Sequence, residues 1–138
     1  MDAKQDWYRN RQPIIVSPGE YFDRWTILSI KVERIQDDAK RAVAREELDQ
    51  LGAPFGNNPA LLGNEEIKLL IQLLRHVNEN LWDVEEKLRY LERNNDFGKN
   101  FVELARSVYK LNDKRADTKR QIDRHCDQQG EVKELPSY

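Results

Sequence analysis

The chain has one cysteine among its 138 residues, two histidines, no long apolar run and almost no net charge. Each shortage excludes something. A lone Cys126 cannot close an internal disulfide, so nothing points to an oxidising compartment. His76 and His125 have no metal-ligand spacing around them, which argues against a zinc site. No apolar stretch approaches the roughly 20 residues that span a bilayer, and residues 1–11 are polar, without the apolar centre of a signal peptide. The net charge of −2 gives no general attraction to nucleic acid, which needs a positive field. The expectation is a cytoplasmic protein that binds neither membrane nor nucleic acid.

Charge of both signs, by contrast, is abundant. Charged residues make up 35% of the sequence, and the mean hydropathy is −0.88. Such a chain is either disordered or built of amphipathic helices with solvated outer faces. The apolar spacing selects helices. Ile67, Leu70, Leu74, Val77, Leu81, Val84, Leu88 and Leu91 alternate steps of three and four, a seam typical of helix pairing. A turn at Asn94, Asn95 and Asp96 then leads into another long helix, over residues 100–127. Its stripe runs Phe101, Ala105 and Val108, turns polar at Asn112, Arg115 and Lys119, and returns to Ile122 and Cys126.

Ahead of this hairpin, Ser17, Pro18 and Glu20 mark a helix start with a capping box, with Gly19 the one poor helix former there. The helix over residues 18–35 carries the seam Tyr21, Trp25, Leu28, Val32 and Ile35, widened by Phe22 and Ile27. Asp37 caps a further, mostly polar segment over residues 39–51, a second helix or a kinked continuation of the first. Its inward candidates are Ala42, Val43, Leu48 and Leu51. Residues 52–63 are rich in Gly, Pro and Asn and read as a loop pinned by Phe55, Leu61 and Leu62. Pro13 to Val16 is a short β-branched run that suggests a brief strand, paired with the tail around Val132 and Leu135. Residues 1–12 form a polar tail, anchored by Trp7 and Tyr8.

The expected fold is therefore all-α. A long antiparallel hairpin carries an N-terminal helix along it, in a three- to four-helix bundle over residues 13–138, with a tiny two-stranded element from the termini. Leu74, Leu81, Trp82, Val84, Leu88, Val108 and Trp25 are the expected core. Too few helices accompany the long seam to cover it, which suggests a homodimer.

Two groups of residues invite a chemical reading. Asn112, Arg115 and Lys119 face the stretch from Asn78 back to Ile71, the N-terminal helix can supply Glu20, Asp23, Arg24 and Lys31 as partners, and with Tyr109 and Arg106 the group suits an anionic ligand carrying phosphate or carboxylate. The alternative is that the two asparagines fix helix register while the cations reach solvent. Glu20, Asp23, Glu79, Asp83 and Glu86 resemble the paired carboxylates with which all-α hydrolases hold Mg²⁺. The doubled E-E-x-x-E signature of the nucleotide pyrophosphohydrolases is absent, however, and no metal or other cofactor is expected. Cys126 lies in the seam, as a small buried hydrophobe would.

Three segments carry a family resemblance. They are V-S-P-G-E from Val16 into D-R-W-T-I-L-S-I-K from Asp23; V-N-E-N-L-W-D-V-E from Val77; and F-V-E-L-A-R-S-V-Y from Phe101 into N-D-K-R-A from Asn112. Together they resemble the DUF6165-type family of short bacterial and phage proteins. The resemblance extends over nearly the whole chain after Gln12 and departs at the E-L-P-S-Y ending. It implies no activity. Three functions remain open: a self-associating accessory module, a site or enzyme for an anionic small molecule, and a metal-dependent phosphohydrolase.

Overall fold

The computed structural model describes residues 9–52 and 58–129, with the side chains of 59, 60, 128 and 129 left aside. The expectations for Trp7, Tyr8, Phe55 and the tail around Val132 and Leu135 lie outside those residues. Among the described residues five helices follow in order: α1 (Pro18–Arg34), α2 (Asp38–Leu51), the single turn α3 (Pro59–Leu62), α4 (Glu65–Arg93) and α5 (Lys99–Gln129). No strand occurs among the described residues. Residues 13–16 remain irregular, and Ile14 and Ile15 are exposed.

Local chemistry sets most of the helix ends. Ser17 Oγ accepts from the Glu20 amide at 3.2 Å, Asp37 Oδ1 from Lys40 at 2.9 Å and Asn64 Oδ1 from Ile67 at 3.1 Å. The capping box at α1 is only half made, because the Glu20 carboxylate turns to Lys119 and Arg24. Asn95 takes the left-handed conformation, φ 53°, in the tight turn joining α4 to α5.

α4 and α5 form the antiparallel hairpin, each helix roughly 45 Å long at ~1.5 Å per residue. α1 crosses one half of it obliquely. Its N-terminus meets α5 at Lys119 and Asp123, and its C-terminus meets α4, where Arg34 bonds Asp83 at 2.7 Å and Glu79 at 3.2 Å. α2 doubles back and packs on α1 alone among the helices. The Tyr21 hydroxyl closes that pair by donating to the Leu51 and Gly52 carbonyls, at 3.1 and 2.9 Å. Ala44 is the residue α2 buries; Ala42 and Val43 are exposed, and Leu48 and Leu51 are half-buried.

The core collects where α1 crosses: Phe22, Leu61, Ile67, Leu74, Ile122 and Cys126, with Ile30, Val77 and Leu81 beside them. Of the expected core, Leu74 and Leu81 are buried, while Trp25, Trp82, Val84, Leu88 and Val108 are only half-buried. α1 is rotated from its expected seam. It buries Gly19, Phe22, Asp23, Thr26, Leu28 and Ile30, and Tyr21 and Trp25 sit at the margin. On α5 the inner stripe is Phe101, Leu104, Val108, Leu111, Arg115, Thr118, Ile122 and Cys126. Ala105 and Asn112, expected inside, are exposed.

Gly19 explains itself in this packing. A β-carbon there would lie 2.3 Å from the Lys119 carbonyl oxygen, and the Gly19 amide donates to Asp123 Oδ1 at 2.7 Å. The absent side chain lets α1 touch the backbone of α5. Helix propensity alone predicts that Gly19→Ala stabilises by up to ~1 kcal/mol. The backbone contact reverses the sign: urea unfolding should show a loss of ~1–3 kcal/mol, the usual cost of overpacking. A stabilised variant would contradict the contact.

Candidate functional site

The polar layer is built around Asp23, whose side chain is 1% exposed although its helix opens near the surface. Arg115 reaches it from α5 with two parallel hydrogen bonds, Nε to Oδ1 at 2.8 Å and Nη2 to Oδ2. Asn78 arrives from α4 and donates through Nδ2 to Asp23 Oδ1 at 3.1 Å and to Thr26 Oγ1 at 3.0 Å. The Thr26 hydroxyl donates in turn to the Asp23 carbonyl at 2.9 Å. One carboxylate thus joins the three helices that make the core. Lys119 lies one turn beyond Arg115, 3.8 Å from Asp23 and 2.5 Å from Glu20.

Burial alone would raise the pKa of Asp23. The hydrogen bonds from Arg115 and Asn78, with the charges of Arg115 and Lys119, outweigh it and hold the carboxyl below its usual range. The Asp23 hydrogen bonds raise Arg115 in the same exchange. Glu20 is lowered, first by its bond to Lys119. Both carboxyls are charged in the fold, so the layer is an ion-pair network rather than an acid poised to give up a proton.

This geometry sorts the residues singled out from the sequence. Arg115, Asn112 and Asn78 come together on one side of the hairpin, where Arg115 Nη1 also donates to Asn112 Oδ1 at 3.3 Å. Lys119 belongs to the layer but serves Glu20 and Asp23. Tyr109 and Arg106 are exposed along the hairpin, away from it. The carboxylate set does not assemble for a metal. Glu20 and Asp23 are held by Lys119 and Arg115, while Arg34 and Arg75 take up Glu79 and Arg34 takes up Asp83. Glu86 is exposed. No cluster of three His, Cys, Asp or Glu suited to a metal ion occurs among the described residues. His125 Nδ1 pairs with Glu66 at 3.0 Å, and His76 Nε2 lies 3.4 Å from Asn80 Nδ2. Cys126 is buried and its thiol is pushed up to about 11, by burial first and then by Asp123 and Asp127, so it is protonated at neutral pH.

Lys31, a further partner for the polar layer in the sequence, and Glu85 with Arg89, expected there as a pair on a solvated face, take a place the sequence did not indicate. They line a groove of about 260 Å³ with Asn78, Asn112 and Arg115, in the angle where α1 diverges from the hairpin; Trp82, Ile27, Ile30 and Leu81 form its apolar wall. Only the crossing angle of α1 brings Lys31 to that place. Comparison with protein-family models, with curated proteins and with solved structures finds no match to this chain.

The network makes a graded prediction. Arg115→Met leaves the Asp23 charge stranded and should cost ~3–5 kcal/mol. Lys119→Met loosens Glu20, whose side chain is 34% exposed, and should cost less than about 1 kcal/mol. Equal losses in denaturant unfolding would contradict the central place of Asp23. The lowered pKa also fixes a sign. Asp23 contributes stability above the unfolded-state value of ~3.9, and that contribution is lost as pH falls through its lower folded value. Acid unfolding of the wild type should therefore steepen below about pH 4.

Proposed function

We propose that this is a self-associating helical module of the cytoplasm, in which the free half of the hairpin pairs with the same half of a second copy. One observation carries the reading: none of residues 82–117 is buried. α1 reaches the base of that stretch, through Arg34 to Asp83 and Asp23 to Arg115, and the rest of it is the pairing of α4 with α5. Val84, Leu88, Leu91, Phe101, Leu104, Val108 and Leu111 face inward yet stay half-buried. Tyr90, Phe97, Val102 and Tyr109 are exposed by 51–60%.

Two helices cannot cover their own seam, and a bundle needs three or four. A second arm laid against the first completes four helices, and two-fold symmetry offers each copy the same surface it uses. The other half is already clamped by α1 through Asp23, so the arm is held out on a rigid base. No helix of the described residues is long and apolar enough to cross a membrane, so a bilayer does not supply the missing cover through a spanning helix. The buried, protonated Cys126 suits a reducing compartment.

Sedimentation at micromolar concentration should show a dimer of the 16.4 kDa chain. Leu88→Ala should then destabilise more at high than at low protein concentration, because the dimer is linked to folding, while Leu74→Ala costs ~2–5 kcal/mol at any concentration. A monomer throughout that range rejects self-association.

A further inference from the structure

The groove beside the polar layer has a chemistry that the pairing of arms does not use. Asp23 accepts from Asn78 Nδ2, and a carboxylate cannot donate, so the orientation of the Asn78 amide is fixed. Its Oδ1 then receives no donor from the described residues. No side-chain nitrogen or oxygen among them is both fully buried and unpartnered, so this oxygen keeps some accessible surface, and Asn78 lines the groove. Asn112 is oriented in the same way. Its Oδ1 accepts from Arg115, which leaves its NH₂ as donor.

Three of the five Arg115 N–H donors are engaged by Asp23 and Asn112. Two remain on a guanidinium that cannot swing away from its buried partner. Lys31 lines the same groove and has no carboxylate within ion-pair distance among the described residues. Arg89 stands at the rim, 3.6 Å from Glu85. Lys31, Arg115, Asn112 and Arg89 therefore bring donors and positive charge to the groove. Its side-chain acceptors include Asn78 Oδ1 and the Glu85 carboxylate, which faces Arg89, and Trp82 with Ile27, Ile30 and Leu81 supplies its apolar lining.

From this arrangement we infer that the groove binds a small phosphate monoester whose flat or hydrocarbon body carries an N–H or O–H donor. The phosphoryl group provides several strong acceptors for Lys31, Asn112 and the free edge of Arg115. The body lies on Trp82, and its donor meets Asn78 Oδ1. At about 260 Å³ the groove lies just below the ~300–1,000 Å³ common for ligand sites, so the ligand is a small metabolite rather than a dinucleotide. Asp23 does not touch it. It positions Arg115 and Asn78, so the site is formed before the ligand arrives.

The probe is 4-aminophenyl phosphate, titrated into the full chain and followed by ¹H–¹⁵N spectra. The Trp82 indole and the Asn78 and Asn112 side-chain amides should shift saturably. Inorganic phosphate and aniline, the two halves of the probe, should bind far more weakly. Lys31→Met strands no acid, so its spectrum should remain that of the folded protein while affinity falls about tenfold or more. Lys110→Met, in a separate depression with Asp83 and Lys87, should bind like wild type. Absence of saturable shifts at those three groups, or unchanged affinity in Lys31→Met, overturns the assignment. Equal loss in Lys31→Met and Lys110→Met also overturns it, since that is nonspecific charge attraction.

Discussion

Everything in this structure depends on the buried carboxylate of Asp23. A charge held away from water is strongly unfavourable unless it is paired and hydrogen-bonded. Arg115 and Asn78 meet that demand from two different helices. The requirement acts as a register lock. A one-residue rotation of α1, or a slide of α5 against α4, would leave the charge unmet. Apolar contacts are more forgiving, because a leucine finds other leucines at many offsets. The joint therefore specifies the crossing of α1 more sharply than the surrounding core can. The bare backbone at Gly19, pressed against Lys119, adds a second fixed point toward the α1 N-terminus.

From this joint the molecule divides into two mechanical halves. Near the crossing, four elements contribute to a core of Phe22, Leu61, Ile67, Leu74 and Ile122. Beyond it, the hairpin continues as two helices with a seam they cannot close. Salt bridges brace the boundary: Arg34 ties the α1 C-terminus to Glu79 and Asp83, and Arg75 of α4 holds Glu33 of α1. The ligand groove lies at the same boundary, since α1 has to leave the hairpin somewhere, and the departing helix opens an angle lined by both. Arm and groove thus have one origin: an oblique helix fixed at Asp23.

The sequence disclosed the helices more fully than their faces. Ser17, Asp37 and Asn64 mark their starts because a capping side chain acts within three residues. The turn near Asn95 is equally local. The faces depend on distant partners. From Phe101, alternating steps of three and four run through Ala105 and Asn112 or through Leu104 and Leu111 according to which step comes first, and both series share Val108 and Arg115. Arg115 belongs to both, so its bond to Asp23 does not choose between them; the packing of α5 on α4 does, turning Leu104 and Leu111 inward and leaving Ala105 and Asn112 exposed. Asp23 itself invited two readings, a metal carboxylate and a partner of Arg115, because no local signal distinguishes a buried, paired carboxylate from a catalytic one; the structure has the pair. Gly19 looked like a flaw because the backbone it accommodates is a hundred residues away in sequence. Lys31 could not be placed in the groove without the crossing angle.

Amide hydrogen exchange along the hairpin, measured as a function of protein concentration, tests the central claim most directly. Protection reports local opening residue by residue. With the clamp at Asp23 and a bare arm, amides near Leu74, Val77 and Ile122 should be strongly protected at every concentration. Those near Leu88, Leu104 and Val108 should exchange faster in dilute solution and gain protection as copies associate. Uniform protection of both halves, unchanged across concentration, would contradict the division into a clamped base and an arm completed by a second chain.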